Sequence, residues 1–413
     1  MSNKTNQIKS QENILNISKE NLLEIAGETD KDQTVERRIL YVTRPIAPPW
    51  DEASKNFAYH LAKNVAKINP RLEIHLLTKG LLPDLPRNII QHSIYTSSEK
   101  DFSFSQKIRS LWWQWRLKNK FDLVHYFFTP SKLNTLILKA FLYPKRSHTI
   151  QTIASLREDI NNDLEIKENV FADIPITYSR YSRDKLKQLG FQNAQHIYPG
   201  IDLSLYSPRD KNEELLTEFN FSQKDFVISF TGEYTRLGGM DNVVEAMREL
   251  TKKIPEIKLL LIVRIKNQRD EANKKLVIKK LKKYNILNRV AFADNLDFTK
   301  WTVSDLYNLS DIILFTVHNM NGKFDVPLVI PEAMACKKPV ILSDLPILRE
   351  FTDNDHAILV KRNDSSEIVR SVFELYTDSR KRDFLAERGL KYVRKNFDIE
   401  YIAERYNQIY QEI

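Results

Sequence analysis

Short apolar runs recur along the chain, and most are followed by a polar loop and then by apolar residues spaced three or four apart. The runs at 39–43, 72–78, 121–128 and 148–153 read as buried strands. After the first of them, Phe57, Leu61 and Val65 mark one face of a helix, and a second helix is expected over 131–142. The run 174–178 reads as a short peripheral strand, because Pro175 cannot donate to a ladder. Ser179 then caps a helix over 181–189, which Gly190 stops. A second series follows, with strands at 225–230, 258–263, 290–292, 311–316 and 340–342 and helices ending at Leu250 and spanning 274–283, 301–309, 366–376 and 379–397. An amphipathic stretch, 399–413, closes the chain. Strand, loop and helix in repeated succession predict an α/β protein of two Rossmann-like domains.

Polarity sets the expected boundaries. Residues 1–37, rich in Asn, Lys, Glu and Ser, read as a disordered or loosely helical extension. The first domain is expected over 38–208, a polar linker over 209–224, the second domain over 225–396 and a terminal helix over 397–413. A chain of 413 residues suits two domains of ordinary size.

Composition narrows the chemistry. One cysteine excludes an intramolecular disulfide framework and suits a reducing compartment. The polar N-terminus and the lack of a long apolar stretch give a cytoplasmic expectation. A net charge of +9 favours anionic partners, with no motif for nucleic acid. The segment 102–120 interleaves Trp112, Trp113 and Trp115 with Lys107, Arg109, Arg116, Lys118 and Lys120. Two readings stay open for it: a helix in a lipid headgroup layer on the inner face of a membrane, or a crossover helix with its tryptophans inward.

The most informative stretch is 322–350, which reads as loop, helix start, helix, strand and loop. Pro331 fits a first helical turn, where its missing N–H costs nothing, and Pro339 ends the helix after Lys337 and Lys338. Glu332 in that turn suits two ribose hydroxyls, and the helix start suits a phosphate. Pro331, Glu332 and the run Ala-Met-Ala-Cys-Lys-Lys-Pro-Val-Ile, with the turn Pro199-Gly200-Ile201-Asp202, resemble retaining GT-B glycosyltransferases of the family 4 (glycosyl transferases group 1) type. The resemblance implies two Rossmann-like domains across a cleft, a terminal helix crossing back to the first, and transfer from a nucleoside diphosphate sugar with retention and with no cofactor; the sequence shows no acidic cluster with metal-ligand spacing, which gives an expectation of metal independence. The implied acceptor is a glycan, a lipid-linked or a small-molecule hydroxyl, in cell-surface glycan or glycolipid synthesis.

Carried over position by position, the resemblance puts Glu332 on the ribose. The backbone of Val326, Pro327 and Leu328 falls on the diphosphate. The first motif carboxylate is replaced by Phe324, so Asp325 is the candidate for the sugar hydroxyls, with Lys323 a weaker one. A glycine pair in the first loop falls on Glu52 and Ala53, leaving Ser54 and the helix start as donors. The capping of that helix by Asp51 or Ser54 is the competing reading. After Gly232, Glu233 and Gly238 stand where the family has two phosphate-binding cations; Arg236 and Arg264 are the candidates to replace them. A histidine near the transferred sugar is replaced by Ala154. These departures support an alternative, a non-catalytic sugar-nucleotide-binding or scaffold protein on the same fold. A third reading, a GT-B epimerase or phosphorylase, is weakened by the lack of a lysine context for pyridoxal phosphate.

Overall fold

The computed structural model describes residues 35–48, 53–95, 103–117, 119–128, 132–143, 146–352 and 356–413. The expected extension lies outside these up to residue 34, as do Trp50, Asp51, Glu52 and Lys118. Two parallel sheets form the frame. The first contains β1 (Arg37–Ile46), β2 (Leu72–Thr78), β3 (Ile89–Ser93), β4 (Leu123–Tyr126), β5 (His148–Ile153), β6 (Ile174–Thr177) and β7 (Gln195–His196), in the order β3-β2-β1-β4-β5-β6-β7. The second contains β8 (Phe226–Gly232), β9 (Ile257–Val263), β10 (Val290–Phe292), β11 (Ile312–Phe315), β12 (Val340–Ser343) and β13 (Ile358–Val360), in the order β10-β9-β8-β11-β12-β13. Each is a doubly wound sheet whose order reverses between its first and fourth strands.

Near-continuous apolar sequence makes these strands, since helices cover both faces of a parallel sheet. In β9, Leu259, Leu260 and Leu261 are all buried. The two halves thus fold as the hydrophobic pattern predicts, with local differences. β6 is not peripheral but lies between β5 and β7. Pro175 is tolerated there because β7 pairs only from Ile176 onward. The polar stretch 209–224 carries a helix, Glu213–Glu218, whose Leu215 and Leu216 are buried with Val227, Leu260 and Leu306 of the second domain.

The C-terminal helix Ile399–Glu412 crosses back and packs on the helix Ala53–Ile68 of the first domain. A buried polar chain fixes it there. Tyr410 Oη lies 2.7 Å from Tyr41 Oη and 2.6 Å from His125 Nδ1, while His125 Nε2 lies 2.7 Å from Thr152 Oγ1. Thr152 Oγ1 in turn lies 3.0 Å from Tyr406 Oη. Burial lowers the pKa of His125 far enough to keep the ring neutral, so the chain carries no uncompensated charge. The turn at Gly200-Ile201 meets the start of this helix through Ile201 N–H to Phe397 O (2.7 Å) and Ile399 N–H to Ile201 O (3.0 Å). A Cβ on Gly200 would lie 2.9 Å from Ile399 Cα, which explains glycine at that position.

Candidate active site

At the carboxyl edge of the second sheet, the loops after β8 and β11 meet at the point where strand order reverses, the usual ligand crevice of such sheets. His318 N–H donates to Leu237 O at 2.8 Å and locks the two loops together. Gly238 and Gly239 adopt φ of 71° and 94°, and a Cβ on Gly239 would fall 2.1 Å from Thr316 O. A Cβ on Gly238, where the family has a cation, would fall 2.6 Å from His318 Nδ1 of the loop after β11, so its positive φ and the close approach of that loop favour glycine there. Gly232 ends β8, its Cα facing the Phe230 ring.

Glu233 organises the charge here. Its buried carboxylate accepts two hydrogen bonds from Arg236, Nε to Oε2 at 2.8 Å and Nη2 to Oε1 at 2.7 Å. Lys266 Nζ and Lys323 Nζ lie 2.8 and 2.9 Å from Oε1. Burial pushes the Glu233 pKa up, but hydrogen bonds from Arg236, Lys266 and Lys323 override it and hold the carboxyl well below the usual range. Burial lowers the Lys323 pKa against the pull of Glu233. Three cations thus face one carboxylate, leaving two positive charges in surplus. After β9 the sequence points to Arg264, but it is Lys266, two residues on, that reaches Glu233; Lys323, in sequence a weaker stand-in for the missing carboxylate, serves here as a cation.

Asp325 lies across the cleft boundary. Its N–H donates to Ala154 O at 2.8 Å, and its Oδ2 accepts from Ser179 Oγ at 2.7 Å and from Ser182 Oγ. Ser179 is the N-cap of the helix Arg180–Gln188 and also accepts from Ser182 N–H. Burial raises the Asp325 pKa to about 6, against hydrogen bonds from Ser182, Ser179 and Ser155. Glu350 docks on the same helix end, accepting from Arg180 N–H at 3.1 Å and Tyr198 Oη at 3.3 Å through Oε2. Its Oε1 is buried with no hydrogen-bond partner among the described residues, and burial raises the pKa to about 7. Two carboxylates of the second domain therefore close onto one helix N-terminus of the first. A hollow of about 260 Å³ beside them is lined by Arg157, Asp159, Tyr181, Lys323, Phe324 and Asp325, among others.

Gly322 connects the groups, its carbonyl accepting from Arg236 Nη1 at 2.9 Å. Arg236 and Asp325, the two residues expected at the reacting centre, are thus brought together through 322–325, though each is already engaged by a protein group. Glu332 sits in the helix Val329–Ala335, which starts two residues before the expected Pro331. Tyr307 Oη donates to Glu332 Oε2 at 3.2 Å, Tyr206 also hydrogen-bonds it, and Arg264 contributes its charge nearby. Burial raises the Glu332 pKa against those tyrosine hydrogen bonds. Val326 and Pro327 are buried beneath this helix start, and Pro327 O accepts from Ile330 N–H at 3.0 Å. Leu328 O accepts from Glu332 N–H at 2.9 Å. Ala53 and Ser54 open the helix Ala53–Ile68 on the first domain. Among the described residues no group of three or more His, Cys, Asp or Glu side chains is placed to hold a metal ion.

Comparison with known proteins bears on the fold and on the second domain. Residues 211–392 match the family model of the glycosyl transferases group 1. An uncharacterized glycosyltransferase of Methanocaldococcus jannaschii is 22% identical over 218 residues, 52% of each chain. The capsular polysaccharide biosynthesis glycosyltransferase CapM of Staphylococcus aureus is 22% identical over 239 residues, 57% of each chain. The matches span a little over half the length of these curated relatives. The crystal structure of Anabaena HepE in complex with UDP and glucose superposes with a TM-score of 0.70 at 17% identity, over 92% of this chain and all of that one. The chain has the GT-B architecture, and within it residues 211–392 are similar to the glycosyl transferases group 1 domain.

Proposed function

We propose that the protein is a retaining glycosyltransferase that moves a sugar from a nucleoside diphosphate sugar to an acceptor hydroxyl, in the cytoplasm and in the service of cell-surface glycan or glycolipid synthesis. The observation that carries the proposal is the cation cluster on Glu233 at the switch point of the second sheet. A diphosphate leaving group develops negative charge as the glycosidic bond breaks, and preorganised cations there lower the barrier. Arg236, Lys266 and Lys323 supply that charge from protein groups, without a resident metal or cofactor. Glu332, framed by Tyr206 and Tyr307, holds the ribose. Asp325 binds the sugar hydroxyls once Ser179 and Ser182 release it on opening of the cleft. The bound UDP and glucose of HepE and the role of CapM in capsular polysaccharide biosynthesis support the donor and product classes.

Incubation with a panel of nucleotide sugars tests this reading. Release of nucleoside diphosphate, increased by the right acceptor, is expected. Binding without release would favour the scaffold alternative, which the engaged state of Arg236 and Asp325 makes the second reading. In calorimetry, Glu332→Ala is expected to weaken donor binding by about tenfold or more, the loss of a charged hydrogen-bonding group. Unchanged affinity would remove Glu332 from the donor site.

A further inference from the structure

The helix Phe104–Leu117 is turned inside out. Toward the protein it presents Gln106, Ser110 and Gln114, all buried. Ser110 Oγ accepts from Tyr95 Oη at 3.1 Å and from Gln114 Nε2 at 2.9 Å. Toward solvent it presents Phe104, Ile108, Trp112 and Trp115, which are 76%, 51%, 54% and 56% exposed. Steps of four, four and three residues align these side chains in one stripe along the helix. A surface helix ordinarily buries such a stripe, and a contiguous exposed apolar patch marks an interaction surface. Only Trp113 of the three tryptophans is turned toward the protein, against His92 and Phe121.

Charge selects the partner. Lys107, Arg109 and Arg116 are exposed on the same helix, which contains no acidic residue. The Arg116 guanidinium lies 5.5 Å from the Trp112 ring centroid, so charge and aromatic surface face outward together. A second copy docked on this face would set the same cations against each other. Tryptophans among basic residues on a helix that lies along a surface match the boundary between anionic headgroups and acyl chains. The helix is the crossover between two parallel strands, so it begins at the carboxyl edge of the first sheet, the edge that faces the second domain.

We propose that this helix docks the protein on a bilayer surface rich in anionic lipid. The stripe enters the headgroup boundary and the three cations lie among the phosphates. The surface is separate from the donor site, so its test stands whether or not transfer is found.

Co-sedimentation of the full chain with vesicles of phosphatidylcholine and phosphatidylglycerol, against phosphatidylcholine alone, tests it. Binding is expected to the anionic vesicles and to fall several-fold when salt is raised from roughly 0.1 M, where the Debye length is about 10 Å, to several times that. Trp112→Ser with Trp115→Ser is expected to lower the partition coefficient at least tenfold with the melting curve unchanged. Lys107→Gln with Arg116→Gln is expected to lower it by about 25-fold, at about fivefold per cation. Should the tryptophan variant melt early, Phe104→Ser with Ile108→Ser takes its place with the same expected loss. Absence of binding, equal binding to neutral vesicles, or unchanged binding by the stripe variants would overturn the proposal. So would sedimentation velocity showing the wild type self-associating through a face that the stripe variants abolish.

Discussion

At the residue scale the site turns on Glu233. A carboxylate where the resembling family has a phosphate-binding cation reads, in sequence, as a loss of function. In the folded protein it collects Arg236, Lys266 and Lys323 and fixes where their charge points. The position Glu233 and the cation Arg236 were legible, because both lie in one loop after a strand. Their pairing was not, since it depends on a loop after β9 and another after β11 being folded against the first. Glu233→Gln keeps the shape but removes the charge that holds three cations together. It is expected to destabilise the protein by on the order of 1–3 kcal/mol, read as a lower melting temperature, and to weaken nucleotide binding because the cations splay. A melting curve and affinity equal to wild type would show that the cluster does not depend on its carboxylate.

At the element scale, most apolar runs were readable, down to the three residues of β10. β2 and β5 were predicted with their observed bounds. β3, Ile-Ile-Gln-His-Ser at the sheet edge, carries two apolar residues and was missed, as was the three-residue β13. Pro175 misplaced β6 because the sequence does not show how short its neighbour β7 is. The helix Phe104–Leu117 could not be oriented from its periodicity, since apolar and polar stripes are equally regular and only the fold decides which faces inward. The turn at Gly200 was recognised, but its reason is tertiary: backbone contact with the start of the terminal helix. Gly200→Ala forces a Cβ against Ile399 and is expected to cost on the order of 1–3 kcal/mol. Chemical denaturation should show a lower midpoint; an unchanged midpoint would mean that the terminal helix shifts without penalty.

At the scale of the whole molecule, the two domains meet through ionisable groups. Asp325 and Glu350 have pKa values raised by burial from 3.8 and 4.5 to about 6 and about 7 in the closed arrangement. A raised carboxylate pKa means that the closed state binds protons more tightly than the open one. Its contribution to closure is complete below the ordinary carboxylate values and is lost as pH rises through about 6 and 7. Small-angle scattering should therefore give a smaller radius of gyration near pH 5 than near pH 8. Asp325→Asn, which cannot ionise, should flatten part of that dependence. A radius independent of pH, or one that shrinks as pH rises, would contradict this account of the interface. Two Rossmann-like halves could be read from sequence because local pattern sets them, and the crossing of the terminal helix followed only from the family resemblance. The interdomain pin formed by Asp325, Ser179 and Ser182 could not, because it joins two loops that only the closed cleft brings together.

The most direct test of the central claim, that the cation cluster on Glu233 holds the donor diphosphate, is calorimetric titration of UDP into the wild type and into Lys266→Met with Lys323→Met. The account predicts binding by the wild type and a loss of about tenfold or more in the variant, consistent with removal of two charge-assisted contacts. Equal affinity in the two proteins would contradict it.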